Sequence, residues 1–234
     1  MIDLYFWPTP NGYKASIMLE ETGFAYQVKP INITAGDQFA REFLAISPNN
    51  KVPAIVDHDG PGGKPVSVFE SGAILLYLAE KAGRLISTDV RSRIETMEWL
   101  MFQMGGFGPM LGQTHHFRVY APEKIDYAVK RYTDEATRLY NVLEKRLDGR
   151  DYLAGDYSIA DIATFTWVRP RKMQGQNLAD YPNIQRWYNT IKVRPAVQAG
   201  LSVMADSKRW EAKPDTEAWT SMFSNAPPSS QTEG

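Results

Sequence analysis

Glu70 and Ser71 stand where a stretch with strand character gives way to a helical one. The first backbone N–H groups of a helix have no partners inside it and lie at the positive end of its dipole. The Ser71 N–H and hydroxyl would therefore hold a carboxylate, while the Glu70 carboxylate would accept from an ammonium group. The pair suits the head group of an α-amino acid. The alternative is that Ser71 is only a helix cap.

Val52-Pro53 opens the first of the two strands that lead to this pair. Proline has no N–H for a sheet, so it belongs at a strand start or an edge, and X-Pro bonds are those that adopt the cis form. A cis bond would turn the chain and leave the N–H and C=O of Val52 to pair with an extended peptide ligand in a cleft. An ordinary trans proline is the alternative.

Composition excludes several classes of function. The chain has 234 residues, a formal net charge of -1 and no cysteine. The charge argues against a nucleic-acid partner, and the lack of cysteine excludes disulfides, thiolate zinc sites and a protein-borne thiol nucleophile. If sulfur chemistry takes place here, the sulfur belongs to a ligand. We expect a cytoplasmic protein without membrane contact, because the sequence has neither a signal segment nor a membrane-length apolar run.

Periodicity and turn residues predict the elements that position these side chains. The pattern in residues 1–83 predicts four strands and three helices in the order βαβαββα, with helices at 13–22, 39–46 and 71–82. One small sheet covered by helices is the economical packing of that order.

Beyond residue 83 the strand-like alternation gives way to long helical periods. We expect one helix over 88–104 with a bend at 105–109, another over 122–147, and three more that begin at Ser158, Pro182 and Pro195. The fold class is therefore an α/β unit followed by an all-α unit. We place the first unit at 1–83 and the second at 88–205.

Residues 206–234 carry little pattern, and we expect a mobile C-terminal tail. Trp210, Trp219 and Phe223 indicate that part of this tail docks on the protein.

His115-His116 raises the question of a metal or a general base. Adjacent histidines on a helix point in different directions, and no carboxylate lies at ligand spacing beside them. We expect a structural or pocket-lining role and no metal.

These motifs together resemble the cytosolic glutathione transferases, whose first half is thioredoxin-like. The resemblance rests on the predicted βαβαββα unit with Val52-Pro53 and Glu70-Ser71, followed by a helical domain with the motif at 158–161. Three further stretches, at 8–12, 47–53 and 105–113, are similar to the bacterial Nu-class members, which are relatives of the fungal nitrogen-regulator proteins. The resemblance covers about residues 1–205.

The resemblance implies how glutathione would bind. Val52, ahead of a cis Pro53, would pair with the cysteinyl backbone, and Glu70 with Ser71 would hold the γ-glutamyl end. The last role matches the amino-acid site argued from the residues alone.

Three more residues are implied by the resemblance only. Gln38 and Lys51 would lie near the glycyl carboxylate, and Arg131 would add a cation at the glutathione site. Gln38 as a plain helix-start residue and Arg131 as a solvated helix residue are the alternatives.

The thiol of glutathione needs donors at the end of the first strand. Hydrogen bonds to the thiolate at a helix N-terminus lower the pKa of the thiol. Thr9 and Asn11 occupy that turn, so we expect the Thr9 hydroxyl as the direct donor and Asn11, through its side chain or backbone N–H, as the second. Tyr5 is the alternative donor, although it lies inside the strand.

The Nu-class resemblance implies a glutathione-dependent disulfide-bond oxidoreductase with hydroperoxide peroxidase and weak transferase activity, and a homodimer. Without a protein cysteine, both reacting sulfurs must come from glutathione, as two molecules or one oxidised glutathione in each site. The second-substrate side is expected to be lined by Trp7, Phe107, Phe117 and Tyr120. The alternatives are a conjugating glutathione transferase and a non-catalytic glutathione-binding regulatory protein.

Overall fold

A computed structural model describes residues 1–207 and 214–223 of the chain. Its first half holds one mixed sheet, in which β1 and β2 are parallel and the other neighbouring pairs are antiparallel, in the order β2-β1-β3-β4. The strands are β1 (Ile2–Phe6), β2 (Tyr26–Pro30), β3 (Ala54–Asp57) and β4 (Val66–Phe69). Alternate side chains of β1 are fully buried, as expected for a strand at the centre of a sheet.

The helices of the first half complete the predicted βαβαββα order. They are α1 (Pro10–Thr22), α2 (Arg41–Leu44), preceded by a 3₁₀ turn at Asp37–Phe39, and α3 (Ser71–Ala82). α1 begins three residues before the predicted start, because Thr9 caps it and a proline occupies its first position. Gly23 and Gly83 end α1 and α3 in the left-handed conformation, with φ of 73° and 63°.

The second half is helical, so the predicted fold class is confirmed. Its helices are α4 (Val90–Phe102), α5 (Gly108–His115), α6 (Asp126–Arg146), α7 (Ile159–Val168), α8 (Pro182–Lys192), α9 (Pro195–Ser202) and α10 (Thr216–Phe223). Gln103–Phe107 and His116–Tyr120 are π-helical, so the predicted bend at 105–109 is a widened turn between α4 and α5.

α7 lies at the centre of the helical half, and all its residues are buried. The predicted helix start is confirmed as a capping box, since Asp161 Oδ2 accepts from the Ser158 N–H at 3.0 Å and from the Ser158 hydroxyl at 3.1 Å. Asp161 Oδ1 accepts from the N–H of Leu153 at 3.0 Å and the indole of Trp187 at 2.9 Å. The carboxylate thus ties three segments together.

α1 connects the two halves of the chain, because it packs against α3 of the first half and against α7 and α9 of the second. Arg194, just ahead of α9, forms a two-point ion pair with Glu21 at 2.8 and 3.0 Å. A Cβ atom at Gly200 of α9 would lie 2.6 Å from the Cα of Ile17, so only glycine permits this approach.

Part of the stretch expected to be a mobile tail forms α10. The indole of Trp219 donates to the backbone oxygen of Tyr120 at 2.7 Å, and the Phe223 ring packs against His116. Trp210 lies outside the described residues. The unit boundaries at 1–83, 88–205 and 206–234 stay a prediction. Over the part of the chain that the structure describes, the helices are too short or too polar to cross a bilayer.

Candidate functional site

Thr9 caps α1 in a way that fixes the direction of its own hydroxyl. Its Oγ1 accepts from the N–H of Gly12 at 3.0 Å, so its proton remains to be donated outward. A Cβ atom at Gly12 would lie 2.2 Å from the backbone oxygen of Trp7, and only glycine allows this tight turn. The sequence motif therefore presents a hydroxyl donor at the positive end of a helix.

The side-chain NH₂ group of Asn11 is available to the cleft because a hydrogen bond fixes the orientation of its amide. The indole N–H of Trp167, which can only donate, points at Asn11 Oδ1 from 2.9 Å. The Asn11 oxygen is thereby occupied and its NH₂ group remains for a ligand. The backbone N–H of Asn11 lies in the first turn of α1, where helices leave such groups without an internal partner. Thr9 and Asn11 together can stabilise an anion, and a thiolate is the anion that the sequence predicts here.

The Val52-Pro53 bond is cis, as the resemblance implies. Within the described residues, neither backbone group of Val52 takes part in a hydrogen bond. The Ser47 hydroxyl donates to the Lys51 carbonyl at 2.9 Å and so holds the loop ahead of this bond. Val52 therefore has one N–H and one C=O to offer an extended ligand.

Glu70 has a φ of 70°, in the left-handed region that residues with side chains rarely adopt. Such a conformation costs about 1–3 kcal/mol and occurs most often at functional sites. It places Glu70 directly ahead of Ser71, the first residue of α3, with the Glu70 carboxylate 3.4 Å from the Asn49 amide nitrogen.

Two adjoining cavities contain these residues. The smaller, of about 140 Å³, is lined by Asn11, Ser47, Asn49, Lys51, Val52, Pro53, Phe69, Glu70, Ser71 and Met104. The larger, of about 270 Å³, is lined by Thr9, Pro10, Asn11, Ile33, Gln38, Asn50, Lys51, Val52, Gly112, His115, Tyr120, Trp167, Met222 and Phe223. Because both include Asn11, Lys51 and Val52, they form one cleft. Glu70 and Ser71 line its smaller part, Thr9 lines its larger part, and Asn11 lies at the junction.

Gln38 lines the larger cavity, but its amide is engaged elsewhere. Its Nε2 donates to the backbone oxygen of Ser221 in α10 at 2.7 Å and lies 3.4 Å from the oxygen of Ile33. Lys51, in contrast, is exposed at the junction of the two cavities. Lys51 is therefore better placed than Gln38 to meet a carboxylate in this structure.

Arg131 is not brought to the cleft of the single chain. It lies on α6, is largely exposed, and has its guanidinium 4.0 Å from the Glu135 carboxylate. Neither of the two cavities includes it. Its role at a glutathione site stays a prediction from the resemblance.

His115 lines the larger cavity and stacks on Trp167, with ring centroids 5.6 Å apart. Burial lowers the pKa of His115 to about 4, so the ring is neutral at physiological pH. Among the described residues, no group of three or more His, Cys, Asp or Glu side chains could hold a metal ion.

Of the four aromatic residues expected on the second-substrate side, Tyr120 lines the cavity. The expectation is wrong for Phe107, which is fully buried against Phe102 and Tyr140 in the core. Trp7 is buried, Phe117 stacks on Tyr132 with ring centroids 5.2 Å apart, and neither residue lines this cavity. The cavity wall is completed by α10, which the sequence reading did not place there.

Sequence reasoning missed residues that line or support the cleft. Trp167 lines it, Lys14 lies behind it, and neither residue belongs to a recognisable motif. Met222 and Phe223, which also line it, belong to the stretch expected to be mobile. The aromatic residues of that stretch were the one available signal for docking.

The sequence matches two family models, "Glutathione S-transferase, N-terminal domain" over residues 1–80 and "Glutathione S-transferase, C-terminal domain" over residues 107–195. Disulfide-bond oxidoreductase YfcG of Escherichia coli is 53% identical over 203 residues, which are 86% of this chain and 94% of that protein.

Solved structures agree with this assignment. A glutathione transferase from Pseudomonas putida, crystallised with one glutathione disulfide per subunit, has a TM-score of 0.83 at 47% identity and covers 87% of this chain and 91% of its own. A glutathione transferase from Burkholderia graminis, with two glutathione molecules per subunit, has a TM-score of 0.84 at 47% identity over 88% of this chain and 89% of its own. The chain therefore belongs to the glutathione S-transferase family.

Proposed function

We propose that this protein is a glutathione-dependent disulfide-bond oxidoreductase in which Thr9 and Asn11 stabilise the thiolate of bound glutathione. The observation that carries the proposal is a pair of donors, each with its acceptor atom already occupied, at the N-terminus of α1 in a chain without cysteine. Such donors lower the pKa of a bound thiol and raise its thiolate fraction at neutral pH.

The rest of the cleft supports glutathione as the thiol. Glu70 and Ser71 would take the ammonium and the carboxylate of the γ-glutamyl group, and the unpaired backbone of Val52 would bind the cysteinyl unit. Lys51 would meet the glycyl carboxylate. Gln38 would join it there only by giving up its weaker hydrogen bond to the oxygen of Ile33, because Ser221 accepts its other amide hydrogen.

The reaction consists of two thiol-disulfide exchanges. A glutathione thiolate attacks one sulfur of the substrate disulfide, forms a mixed disulfide and releases the other sulfur as a thiolate that takes up a proton. A second glutathione thiolate attacks the glutathione sulfur of the mixed disulfide and releases the second substrate thiol. The products are oxidised glutathione and two thiols, and all electrons come from the two glutathione molecules. The relatives crystallised with glutathione disulfide or two glutathione molecules support a site of this capacity.

The same thiolate would act on two other acceptors. With an organic hydroperoxide it would attack the distal oxygen, release the alcohol and form a sulfenic acid, which a second glutathione converts to glutathione disulfide and water. At the electrophilic carbon of an aryl halide it would form a thioether and displace the halide ion, which is the conjugation reaction of a transferase. Reduced glutathione is maintained in the cytoplasm, where we place this activity.

The proposed assembly is a homodimer. Val90, Ile94 and Met101 follow one face of α4 and are 68%, 54% and 48% exposed in the single chain. A symmetric dimer is the commonest way to cover such a face. Sedimentation of the purified protein should give twice the chain mass, and Ile94→Glu should shift it towards the monomer.

A comparison of acceptors tests the proposed function. The purified protein should reduce a small mixed disulfide with glutathione faster than it conjugates a chloronitrobenzene. The reverse ranking would indicate a conjugating transferase, and glutathione binding without turnover of either acceptor would indicate a regulatory protein. Failure to bind glutathione in a calorimetric titration would reject the site itself.

A further inference from the structure

Lys14 is buried immediately behind the amino-acid end of the cleft. It lies one turn into α1, is 1% exposed, and extends its ammonium towards α3 and the π-helical segment Gln103–Phe107. Its Nζ lies 2.6 Å from Gln103 Oε1, 3.2 Å from Ser71 Oγ and 3.3 Å from Met104 Sδ. Lysine is almost never fully buried unless it is paired, so this position needs an explanation.

The surroundings of Lys14 are arranged for the charged form. An ammonium has three N–H donors, and the three contacts supply three acceptors. Gln103 directs its oxygen at Lys14, and among the described residues its buried Nε2 has no hydrogen-bond partner. An unpartnered buried N–H group costs about 1–3 kcal/mol, and turning the amide over would set two donors against each other. The orientation of the Gln103 amide therefore stabilises the ammonium group of Lys14.

Among the residues that the structure describes, no carboxylate contacts Lys14 directly. The side chains that contact it from α3 and the π-helical segment are the neutral Ser71, Gln103 and Met104. Among the described residues, the negative charge of Glu70 is the one that acts on the Lys14 ammonium through space. Burial lowers the pKa of Lys14 to about 7, while Glu70 acts to raise it.

Lys14 also sets the direction of the Ser71 hydroxyl. Because Ser71 Oγ accepts from the ammonium, its own proton must point elsewhere, and its present partner is Met104 Sδ at 3.7 Å. A thioether is a weak acceptor, so an incoming carboxylate oxygen would replace it. Ser71 and Met104 both line the smaller cavity, so the replacement needs no rearrangement of the backbone.

We propose that Lys14 is a positioning residue for the γ-glutamyl carboxylate of glutathione, and that binding of this carboxylate is coupled to uptake of one proton by Lys14. The inference rests on the proposed glutathione site and adds a residue that does not line it. The bound carboxylate places a negative charge at Ser71, which favours the ammonium form of the lysine behind it. Ligand affinity then falls as pH rises above the point where unliganded Lys14 loses its proton.

The test is titration calorimetry with S-methylglutathione, which has no titratable thiol. Between pH 6 and pH 8 the affinity should fall about tenfold, as expected when one group with a pKa near 7 must be protonated for binding. Proton uptake, measured in two buffers of different ionisation enthalpy, should accompany binding and approach one proton at pH 8.

Variants and a truncated ligand isolate the lysine. Lys14→Met should bind about a hundredfold more weakly at pH 6, with no proton uptake and no pH dependence up to pH 8. Lys130→Met, which alters an exposed lysine of α6, should behave as the wild type. An S-methyl tripeptide with γ-aminobutyrate in place of the γ-glutamyl residue lacks the carboxylate, and wild type and Lys14→Met should bind it equally.

Two results would overturn the proposal. Wild-type binding of S-methylglutathione without proton uptake between pH 6 and pH 8 would remove the coupling, and this measurement does not depend on whether Lys14→Met folds. Uptake that persists with the truncated ligand would assign the proton to another group. Absence of S-methylglutathione binding at every pH would instead reject the glutathione site as a whole.

Discussion

Trp167 donates its indole N–H to the side-chain oxygen of Asn11 across 2.9 Å, and so joins α7 to the start of α1. An asparagine amide can turn over and present either its oxygen or its nitrogen. An oxygen aimed at a thiolate would repel it, whereas the NH₂ group donates to it. Trp167 therefore determines whether the Asn11 side chain stabilises or repels a thiolate in the cleft.

Trp167→Phe should reduce turnover about tenfold and shift the pH-rate profile to higher pH, because the released Asn11 amide no longer holds its donor orientation. The affinity for S-methylglutathione should change little, since this ligand carries no thiolate. Trp99→Phe is the matched control, as this tryptophan contacts Phe102 and Arg146 away from the cleft. Equal pH-rate profiles for the wild type and Trp167→Phe would contradict the role of Trp167.

Thr9→Ala should raise the pKa of the bound glutathione thiol and lower turnover roughly tenfold to a hundredfold, because it removes the hydroxyl donor. The thiolate absorbance of the complex, followed against pH, measures the pKa directly. Thr9→Ala also removes the cap of α1, at a cost of about 1 kcal/mol in folding stability. Thr9→Ser keeps both the cap and the donor and should remain close to the wild type. A thiol pKa unchanged in Thr9→Ala would exclude the hydroxyl as the donor.

Phe223→Ala should raise the KM for a mixed disulfide about fivefold, since it removes a wall of the larger cavity that packs against His116 and Tyr120. The affinity for glutathione should stay within about twofold, because the head-group residues are untouched. Thr220→Ala, at an exposed position of the same helix, serves as the control. An unaltered KM would show that α10 takes no part in binding the acceptor.

Asp161→Asn should lower the free energy of unfolding by about 3 kcal/mol, because the new NH₂ group must face N–H donors that the carboxylate now satisfies. Urea unfolding followed by tryptophan fluorescence measures the change. Asp134→Asn alters an exposed carboxylate that pairs with Lys130 at 2.5 Å, and should cost less than about 0.5 kcal/mol. Equal unfolding midpoints for the two variants would contradict the structural role of Asp161.

Features with local causes could be predicted from the sequence. The capping box at Ser158, the helix starts at Pro182 and Pro195 and the stops at Gly23 and Gly83 each follow from residues within one turn of one another. The element order βαβαββα followed from hydrophobic periodicity and turn residues, which are also local signals.

Long-range contacts could not be predicted in the same way. Trp167 and Asn11 are 156 positions apart, and Lys14 and Gln103 are 89 apart, so no local pattern relates them. Lys14 reads as an ordinary surface residue of an amphipathic helix. The resemblance, in turn, indicated Gln38 and Arg131 as binding residues but could not show their surroundings. The Gln38 amide donates to Ser221, and Arg131 is largely exposed on α6.

The close contact between Ile17 of α1 and Gly200 of α9 affects the distant end of α1. Helix α1 carries Thr9 and Asn11 at its N-terminal end and is held by Gly200 at Ile17 and by Arg194 at Glu21. A side chain at position 200 would push α1 away from α9. A larger residue at position 200 would thus lower turnover from a distance, because it would tilt the N-terminal end of α1 before it lowered the unfolding temperature of the protein.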